Sequence, residues 1–238
     1  MVVISQKHAS PIIDRYEFNQ SYVYLLVAVS ILGGISFGFN LFVISKLHAI
    51  IYLNNFLQNG ALLSLFLGIV FGVLLYKKVG SIIGKRTLIQ LCISLLVFSI
   101  IGSDSATLFA VFALFKLFIG VFLGILALLC PRYLAQISPK TIRIKTVFLY
   151  FIMVVIGVFV AYFTDNLLIQ KWQNNWISLI QLTPSLLFFA GLFFVNESPI
   201  WLIEKKRRFE AYQILVRIGG TSYANVETKH LEHSFKQK

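Results

Sequence analysis

Residues 108–129 read LFAVFALFKLFIGVFLGILALL, and Lys116 is the one charged side chain in this stretch. An α-helix needs about 20 consecutive apolar residues to cross the hydrocarbon core of a bilayer, and this stretch reaches that length. Five further apolar runs share its character, at residues 21–45, 60–76, 88–101, 147–163 and 177–195. The run at 88–101 is short, so we expect flanking residues to lengthen it. The sequence therefore predicts an all-α integral membrane protein with six transmembrane helices.

The composition excludes a soluble protein of this size. Hydrophobic residues make up 58% of the 238-residue chain and charged residues 13%, which is more apolar side chain than one soluble core could bury. Between Glu17 and Glu197 the sequence has two acidic residues, Asp104 and Asp165, and both fall in gaps between apolar runs. We therefore expect the lipid bilayer to cover the remaining apolar surface.

The basic residues are distributed unevenly around the six runs. Positively charged segments resist translocation and stay in the cytoplasm. All but three of the 21 Lys and Arg residues lie in the N-terminal arm, the second-to-third gap, the fourth-to-fifth gap or the segment after residue 195; the exceptions are Lys46, Lys116 and Lys171. We therefore expect a protein of the plasma or inner membrane with both termini cytoplasmic. The net charge of +12 then reflects this topology and contact with anionic lipid, and we expect no nucleic-acid partner.

Composition also divides the chain into four parts. Ser198 is suited to be an N-cap with Pro199 at the first helical position, and apolar residues recur at helical spacing until Gly219 and Gly220. We expect this helix to lie at the cytoplasmic surface of the membrane and the residues after it to be mobile. The predicted parts are a cytoplasmic arm at 1–20, a six-helix bundle at 21–195, an amphipathic helix at 196–220 and a polar tail at 221–238.

Four segments carry patterns that are more specific than charge or hydropathy. They are FGFN (37–40), GSIIGKR (80–86), PRYLAQISPKTIR (131–143) and NESPIWL (196–202). They resemble sugar porters of the major facilitator superfamily, where the first reads Phe-Gly-Tyr-Asp and the last Pro-Glu-Ser-Pro-Arg-Trp-Leu. The second and third resemble the family patterns Gly-x-x-x-Asp-Arg-x-Gly-Arg-Arg and Pro-x-Tyr-x-x-Glu-x-x-Pro-x-x-x-Arg. The resemblance runs from about residue 22 to residue 220 and implies the N-terminal six-helix half of that fold.

The resemblance implies that the cytoplasmic segments form a gate. In the family, acidic and basic groups of these loops pair across helix ends, and separating the pairs lets the two halves rock apart. The gate positions in this sequence are Ser81, Gly84, Lys85, Arg86, Gln136, Arg143 and Glu197. Ser81 and Gln136 stand where the family has acids, so we expect a weaker cytoplasmic closure than the family pattern would give.

The resemblance also implies where a sugar would bind. Phe37 and Asn40 lie in the first run, Lys116 lies where proton-coupled members have an Arg, and Phe151 lies where members have a sugar-contacting Gln. In coupled members that Arg faces a titratable Asp, which Asn40 replaces here. Because none of the six runs contains an Asp or Glu, we expect facilitative movement rather than proton coupling.

Two further features of the spans are the charge of Lys116 and the spacing of four glycines. A charged residue inside a span is costly, so Lys116 either serves the solute pathway or extends its amine to the outer interface. The pairs Gly68/Gly72 and Gly120/Gly124 are spaced four residues apart, and this spacing favours close packing between helices.

The expected function is movement of a sugar or a similar small polar solute across the membrane, with no cofactor and no catalytic or metal site. Six helices make up one half of a major facilitator transporter, whose site lies between two halves. We therefore expect a homodimer or a separate C-terminal half as partner. The alternative is a degenerate, transporter-like membrane protein that serves as a scaffold or binding protein and transports nothing.

Overall fold

The computed structural model describes residues 19–45, 55–80, 82–164, 166 and 176–236. All the regular structure in these residues is helical, as the sequence predicts. A 3-10 turn, Leu192–Phe194, continues the sixth helix. The α-helices are α1 Gln20–Ser45, α2 Asn55–Val79, α3 Lys85–Asp104, α4 Phe109–Ile137, α5 Arg143–Thr164, α6 Trp176–Gly191, α7 Pro199–Glu204 and α8 Arg208–Lys236.

Within the described residues, α1 to α5 each contain an apolar stretch long enough to cross a membrane. α6 is shorter, at 16 residues. Together with the 3-10 turn it extends to Phe194, so it corresponds to the predicted span at 177–195. α3 extends from Lys85 to Asp104, so residues on both sides of the short run at 88–101 join the helix as expected. The chain is a multi-pass helical membrane protein.

Glycines let α2 and α4 approach each other closely. A Cβ at Gly68 or Gly72 of α2, or at Gly120 or Gly124 of α4, would overlap a backbone carbonyl oxygen of the opposing helix. In a bilayer, association between helices depends on such close packing, because lipid tails are as apolar as the side chains they replace. The packing predicted from the spacing of these four glycines is confirmed.

A second seam of the same kind joins α1 to α5. A Cβ at Gly34 or Gly38 of α1 would meet the backbone carbonyl oxygens of Tyr150 and Val154 on α5, and one at Gly157 of α5 would meet the carbonyl of Ile35. α2–α4 and α1–α5 are the two most extensive helix contacts in the bundle, followed by α3–α4 and α1–α6. The two seams therefore pair α2 with α4 and α1 with α5.

Large apolar side chains cover the outward faces of α2 and α5. Water would penalise so large an apolar surface, so lipid or another apolar helix face must cover it. The exposed side chains are Leu63, Phe66, Leu67, Val70, Phe71 and Leu74 on α2 and Phe148, Phe151, Val155, Phe159 and Phe163 on α5.

α7 begins as the sequence predicts. The Ser198 hydroxyl accepts the N–H of Trp201 at 3.4 Å, and Pro199 occupies the first helical position, where its missing N–H has no consequence. This short helix packs on α8 and on the end of α4.

α7 ends in a Schellman motif. The N–H of Arg207 donates to the carbonyl of Leu202 at 2.8 Å, and the N–H of Lys206 donates to the carbonyl of Ile203 at 3.0 Å. Lys206 has a φ of 62°, the left-handed conformation that this motif usually assigns to Gly. Lys206 therefore holds a strained backbone at the turn between α7 and α8.

α8 contains a break where the sequence places the end of the helix. Gly219 and Gly220 leave the helical backbone conformation, and Gly220 has a φ of 78°. Beyond this break the chain differs from the expectation, because the predicted mobile tail is helical as far as Lys236.

Long-range contacts order this last segment. Tyr223 and Ala224 are buried, and the Glu227 carboxylate lies 2.8 Å from the Lys140 amine, with the Glu227 side chain 11% exposed. Lys140 belongs to the loop between α4 and α5, so the polar composition of the tail could not indicate that an ion pair would hold it.

Adding a methyl group to the α2–α4 seam is expected to destabilise the bundle. Gly72→Ala and Gly124→Ala should each lower the free energy of unfolding by about 1 to 3 kcal/mol, because overpacking forces the backbones apart. Thermal unfolding in detergent measures this change. Gly60→Ala in α2 is the control, since a Cβ there would meet only the Phe109 ring at an ordinary 3.4 Å; an equal loss in all three variants would contradict the seam.

Relieving the backbone at Lys206 is expected to stabilise the protein. Lys206→Gly should raise the free energy of unfolding by about 1 kcal/mol, because the left-handed conformation is unfavourable for L-residues by that order. Lys205→Gly provides the matched control, since Lys205 has a φ of −84° and gains nothing from glycine. The prediction fails if the two variants shift the unfolding temperature in the same direction.

Candidate solute crevice and cytoplasmic gate

A buried hydrogen-bond cluster joins α1 to α6. The Asn40 side chain is 1% exposed, and its Nδ2 donates to the Ser36 carbonyl at 2.8 Å and to Ser185 Oγ at 3.0 Å. The Ser36 hydroxyl also donates to Ser185 Oγ, at 3.2 Å. Buried polar groups in a membrane bundle need such partners, so this cluster fixes the amide of Asn40 in one orientation.

A narrow crevice lies beside this cluster, inside the six-helix bundle. Ser36, Phe37 and Asn40 contribute its α1 wall, and the remaining lining comes from α3, α4 and α6. It is a small, mainly apolar space with polar groups on its α1 side. Phe37 and Asn40, two of the predicted solute residues, are therefore brought together.

A second crevice adjoins the first on its α5 side. Gly33, Cys130 and Phe188 line both, and Tyr150 and Tyr133 line the second. The Tyr150 hydroxyl is buried beside the Cys130 thiol, which is a weak hydrogen-bonding partner.

Lys116 and Phe151 lie apart from these crevices. Lys116 is half-buried, and its amine sits 5.0 Å from the centroid of the Phe112 ring, one turn nearer the start of α4. The Lys116 amine therefore lies towards the start of α4, as expected if it extends to the outer interface of the membrane. Phe151 is 51% exposed on the outer face of α5. Contact of either side chain with a solute stays a prediction.

Glu197 caps α3 from a different part of the chain. Gly84, at the N-cap of α3, has no side chain to accept the first free N–H groups of the helix. The Glu197 carboxylate accepts the N–H of Arg86 at 2.9 Å and lies 3.5 Å from the Thr87 hydroxyl. A negative charge is favourable at a helix N-terminus. A Cβ at residue 84 would overlap this carboxylate, so a larger residue there would displace Glu197 from its position.

Gln136 connects three helices at the same end of the bundle. Its Oε1 accepts from the Lys85 amine at 2.5 Å and from the Ser198 hydroxyl at 2.7 Å, so α3, α4 and the start of α7 meet at one oxygen. Gln136 stands where the family pattern has an acid, and its neutral amide still engages the cation. The Lys85 amine is therefore held by a neutral amide at this junction and not by a carboxylate.

The remaining gate residues are placed differently. Arg143 lies beside the second half of α8, where its Nε is buried without a partner among the described residues. Burial, followed by the charge of Glu227, raises the pKa of the nearby Tyr223 hydroxyl to about 12, and Arg143 opposes this shift. Ser81 lies outside the described residues. Its role stays a prediction.

Sequence reasoning missed several members of these two sites. Ser36 lies one helical turn before Asn40, and that spacing could have indicated a shared face. Ser185 follows a proline inside α6, with no local pattern that points to α1. The Tyr133 hydroxyl donates to the carbonyl of Asn196 at 2.6 Å, a contact between distant segments that no spacing in the sequence predicts.

Removing the Glu197 side chain is expected to make room at Gly84. Gly84→Ala alone should lower the free energy of unfolding by about 1 to 3 kcal/mol, because its methyl group overlaps the carboxylate. In a Glu197→Ala background the same change should have almost no further effect, since Gly84 has a φ of −55° that alanine tolerates. A double-mutant cycle of unfolding temperatures measures this coupling. Additive losses would contradict the contact.

Comparison with known proteins agrees with this architecture. The family described as Sugar (and other) transporter matches residues 26–238. The arabinose-proton symporter of Bacillus subtilis (strain 168) is 28% identical over 231 residues, which cover 92% of this chain and 50% of the symporter. The galactose-proton symporter of Escherichia coli (strain K12) is 24% identical over 208 residues, covering 86% of this chain and 45% of that protein. The chain thus spans about half the length of the curated relatives it matches.

The fold agrees with solved structures as well. The proton:xylose symporter XylE bound to 6-bromo-6-deoxy-D-glucose superposes with a TM-score of 0.80 at 24% identity, over 92% of this chain and 54% of that one. A partially occluded, inward-open structure of the xylose transporter XylE from E. coli gives 0.79 at 23% identity, over 91% of this chain and 58% of that one.

The family match covers most of the chain, and the six-helix bundle fits about half of a major facilitator transporter. This protein therefore belongs to the sugar transporter family, and its helices form the N-terminal half of the major facilitator fold.

Proposed function

We propose that this chain moves a sugar or a similar small polar solute across the cell membrane as one half of an assembled transporter. The observation that carries the proposal is the family match, together with a buried amide and a buried hydroxyl, those of Asn40 and Ser36, that line one crevice. Hydroxyl-rich solutes need buried polar groups, and these two side chains are the polar part of that lining.

Movement through this protein is facilitative in our proposal. Proton coupling through a carboxylate requires a group that titrates, and Asn40 does not. Its Nδ2 is also engaged by two oxygens, on α1 and α6. Between residues 19 and 196 the acidic residues are Asp104 and Asp165, and both lie outside the six apolar runs.

The bundle works with a second six-helix unit, either another copy of this chain or a separate C-terminal half. In this fold the solute path runs between two halves. The outward faces of α2 and α5 present large apolar side chains that a second bundle could cover in place of lipid. Both termini are cytoplasmic in this arrangement, because the Lys- and Arg-rich loops lie on their side.

The junction at Glu197 and Gln136 forms part of the cytoplasmic gate. It holds the starts of α3 and α7 and the end of α4 together. An amide at residue 136 contributes less electrostatic attraction than an acid would, so closure is weaker than in the family pattern.

Uptake of labelled pentoses and hexoses into proteoliposomes tests the transport proposal. The purified protein should equilibrate its solute at the same rate with and without a pH gradient. Asn40→Ala should slow uptake roughly ten-fold, because the crevice loses its fixed amide and hydrogen bonds worth 1 to 3 kcal/mol. Ser30→Ala is the matched control, since its buried hydroxyl bonds to its own helix at Leu26 and lies away from the crevice lining.

Three outcomes would count against the proposal. A flat time course for every sugar, from protein whose mass in native detergent micelles shows assembled units, would favour the scaffold alternative. Accumulation above the external concentration when a pH gradient is applied would remove the facilitative assignment. A purely monomeric protein that transports sugar would remove the requirement for a second half.

A further inference from the structure

The turn between α7 and α8 exposes two lysines whose charges nothing in the described structure neutralises. Lys205 and Lys206 follow directly after α7, and both side chains are exposed. Neither side chain makes a hydrogen bond or an ion pair with the described residues. Lys206 also holds the left-handed conformation, where glycine would be less strained. The chain thus places an uncompensated charge on a backbone position that disfavours any side chain.

The two arginines that follow have partners. Arg207 forms a bidentate pair with Glu210, at 2.7 and 2.6 Å, and Arg208 lies 3.2 Å from a Glu232 oxygen. Of four consecutive cations, only the two lysines keep their full charge available to an outside partner. The two lysines therefore differ from the two arginines, because their charges are not paired within the described residues.

An exposed aromatic ring stands beside these lysines. Phe209 is 72% exposed, although it lies in a polar part of the chain. Aromatic rings are favoured at the boundary between lipid headgroups and hydrocarbon, where apolar surface leaves bulk water. Two exposed lysines followed closely by an exposed phenylalanine suit an anionic lipid surface, which offers both phosphates and apolar contact.

The turn is held close to the end of the sixth apolar helix. Phe193 and Phe194, which end that helix, are exposed apolar residues. The Arg86 guanidinium donates to the carbonyl of Phe193 at 3.2 Å, and Glu197 is fixed to the start of α3. α7 then spans about 9 Å along its axis, given 1.5 Å per residue. That distance is close to the Debye length of about 8 Å at physiological salt, so salt does not fully screen the lysines from charges at the end of the sixth apolar helix.

We propose that residues 205–209, the basic turn, bind the anionic headgroups of phospholipids at the membrane surface. Lys205 and Lys206 contact the phosphates, and Phe209 enters the headgroup layer. The inference rests on the membrane-embedded topology in the proposed function, and it does not depend on transport. Each lysine near an anionic surface contributes roughly a five-fold change in affinity.

Hydrogen exchange of the full-length protein in nanodiscs tests this inference. Discs of phosphatidylcholine are compared with discs containing phosphatidylglycerol, and the peptides covering residues 199–217 are followed. We expect exchange in the basic turn to slow at least five-fold in the anionic discs, and 0.5 M salt should remove most of that difference. Because both faces of a disc carry the same lipid, the result is independent of orientation and of solute movement.

Charge-removing variants assign the effect to these residues. Lys205→Gln with Lys206→Asn should abolish the lipid-dependent protection, and asparagine tolerates the left-handed backbone without a charge. Phe209→Ser should weaken it. Lys229→Gln is the control, because Lys229 is an exposed lysine on the second half of α8, and it should leave the protection unchanged.

Three results would overturn the proposal. Equal exchange in the two kinds of disc would mean that the basic turn is a solvated surface. Protection that persists in the Lys205→Gln, Lys206→Asn variant would mean that other cations bind the lipid. Protection that appears only after a purified second half is added, and not with lipid, would assign the turn to a protein partner and would also overturn it.

Discussion

The close approach of helix backbones is the constraint on which the rest of this structure depends. Inside a bilayer, side-chain hydrophobicity does not drive helices together, because lipid tails are equally apolar, so contact area and backbone proximity must do so. Glycines at 68 and 72 of α2 and at 120 and 124 of α4 allow carbonyl oxygens of the opposing helix to occupy the space of a missing Cβ. The second seam, between α1 and α5, uses the same device. Some buried polar side chains bond within their own helix, as Ser30 and Ser99 do, and the Asn40 cluster instead takes a partner from α6.

The fold could be predicted from the sequence because its signals are local. Apolar length, the distribution of Lys and Arg and glycine spacing each concern one helix or one loop, and the helices occur at the predicted places. The cytoplasmic junction is different, because Glu197 caps a helix that begins 112 positions earlier in the numbering, next to Arg86 and Gly84. A carboxylate that bonds a backbone N–H leaves no trace in local spacing. The second half of α8 was expected to be mobile for the same reason, since its order depends on Lys140.

The two sites differ in how polarity is used. At the cytoplasmic end, a carboxylate, a lysine and an amide serve the ends of helices, where free N–H groups need acceptors. In the crevice, Asn40 and two serines bond mainly to one another and to one backbone carbonyl. The Asn40 amide is neutral, and both hydrogens of its Nδ2 are donated inside the protein. Unlike a carboxylate, this amide does not titrate.

The crevice takes its polar side chains, Ser36 and Asn40, from α1. Within each half of this fold, three helices repeat in inverted orientation, so α1, α2 and α3 correspond to α4, α5 and α6. The helix pair α1–α5 then corresponds to the pair α4–α2. Gly34 and Gly38 correspond to Gly120 and Gly124, and the two glycines of each pair are four residues apart. Two residues after the second glycine of each pair stand Asn40 on α1 and Leu126 on α4, and both line the same crevice. The repeat supplies two equivalent positions for a side chain at the bundle centre. This sequence makes one of them an amide and leaves the other apolar, so the crevice has a polar side on α1 and a hydrophobic side on α4.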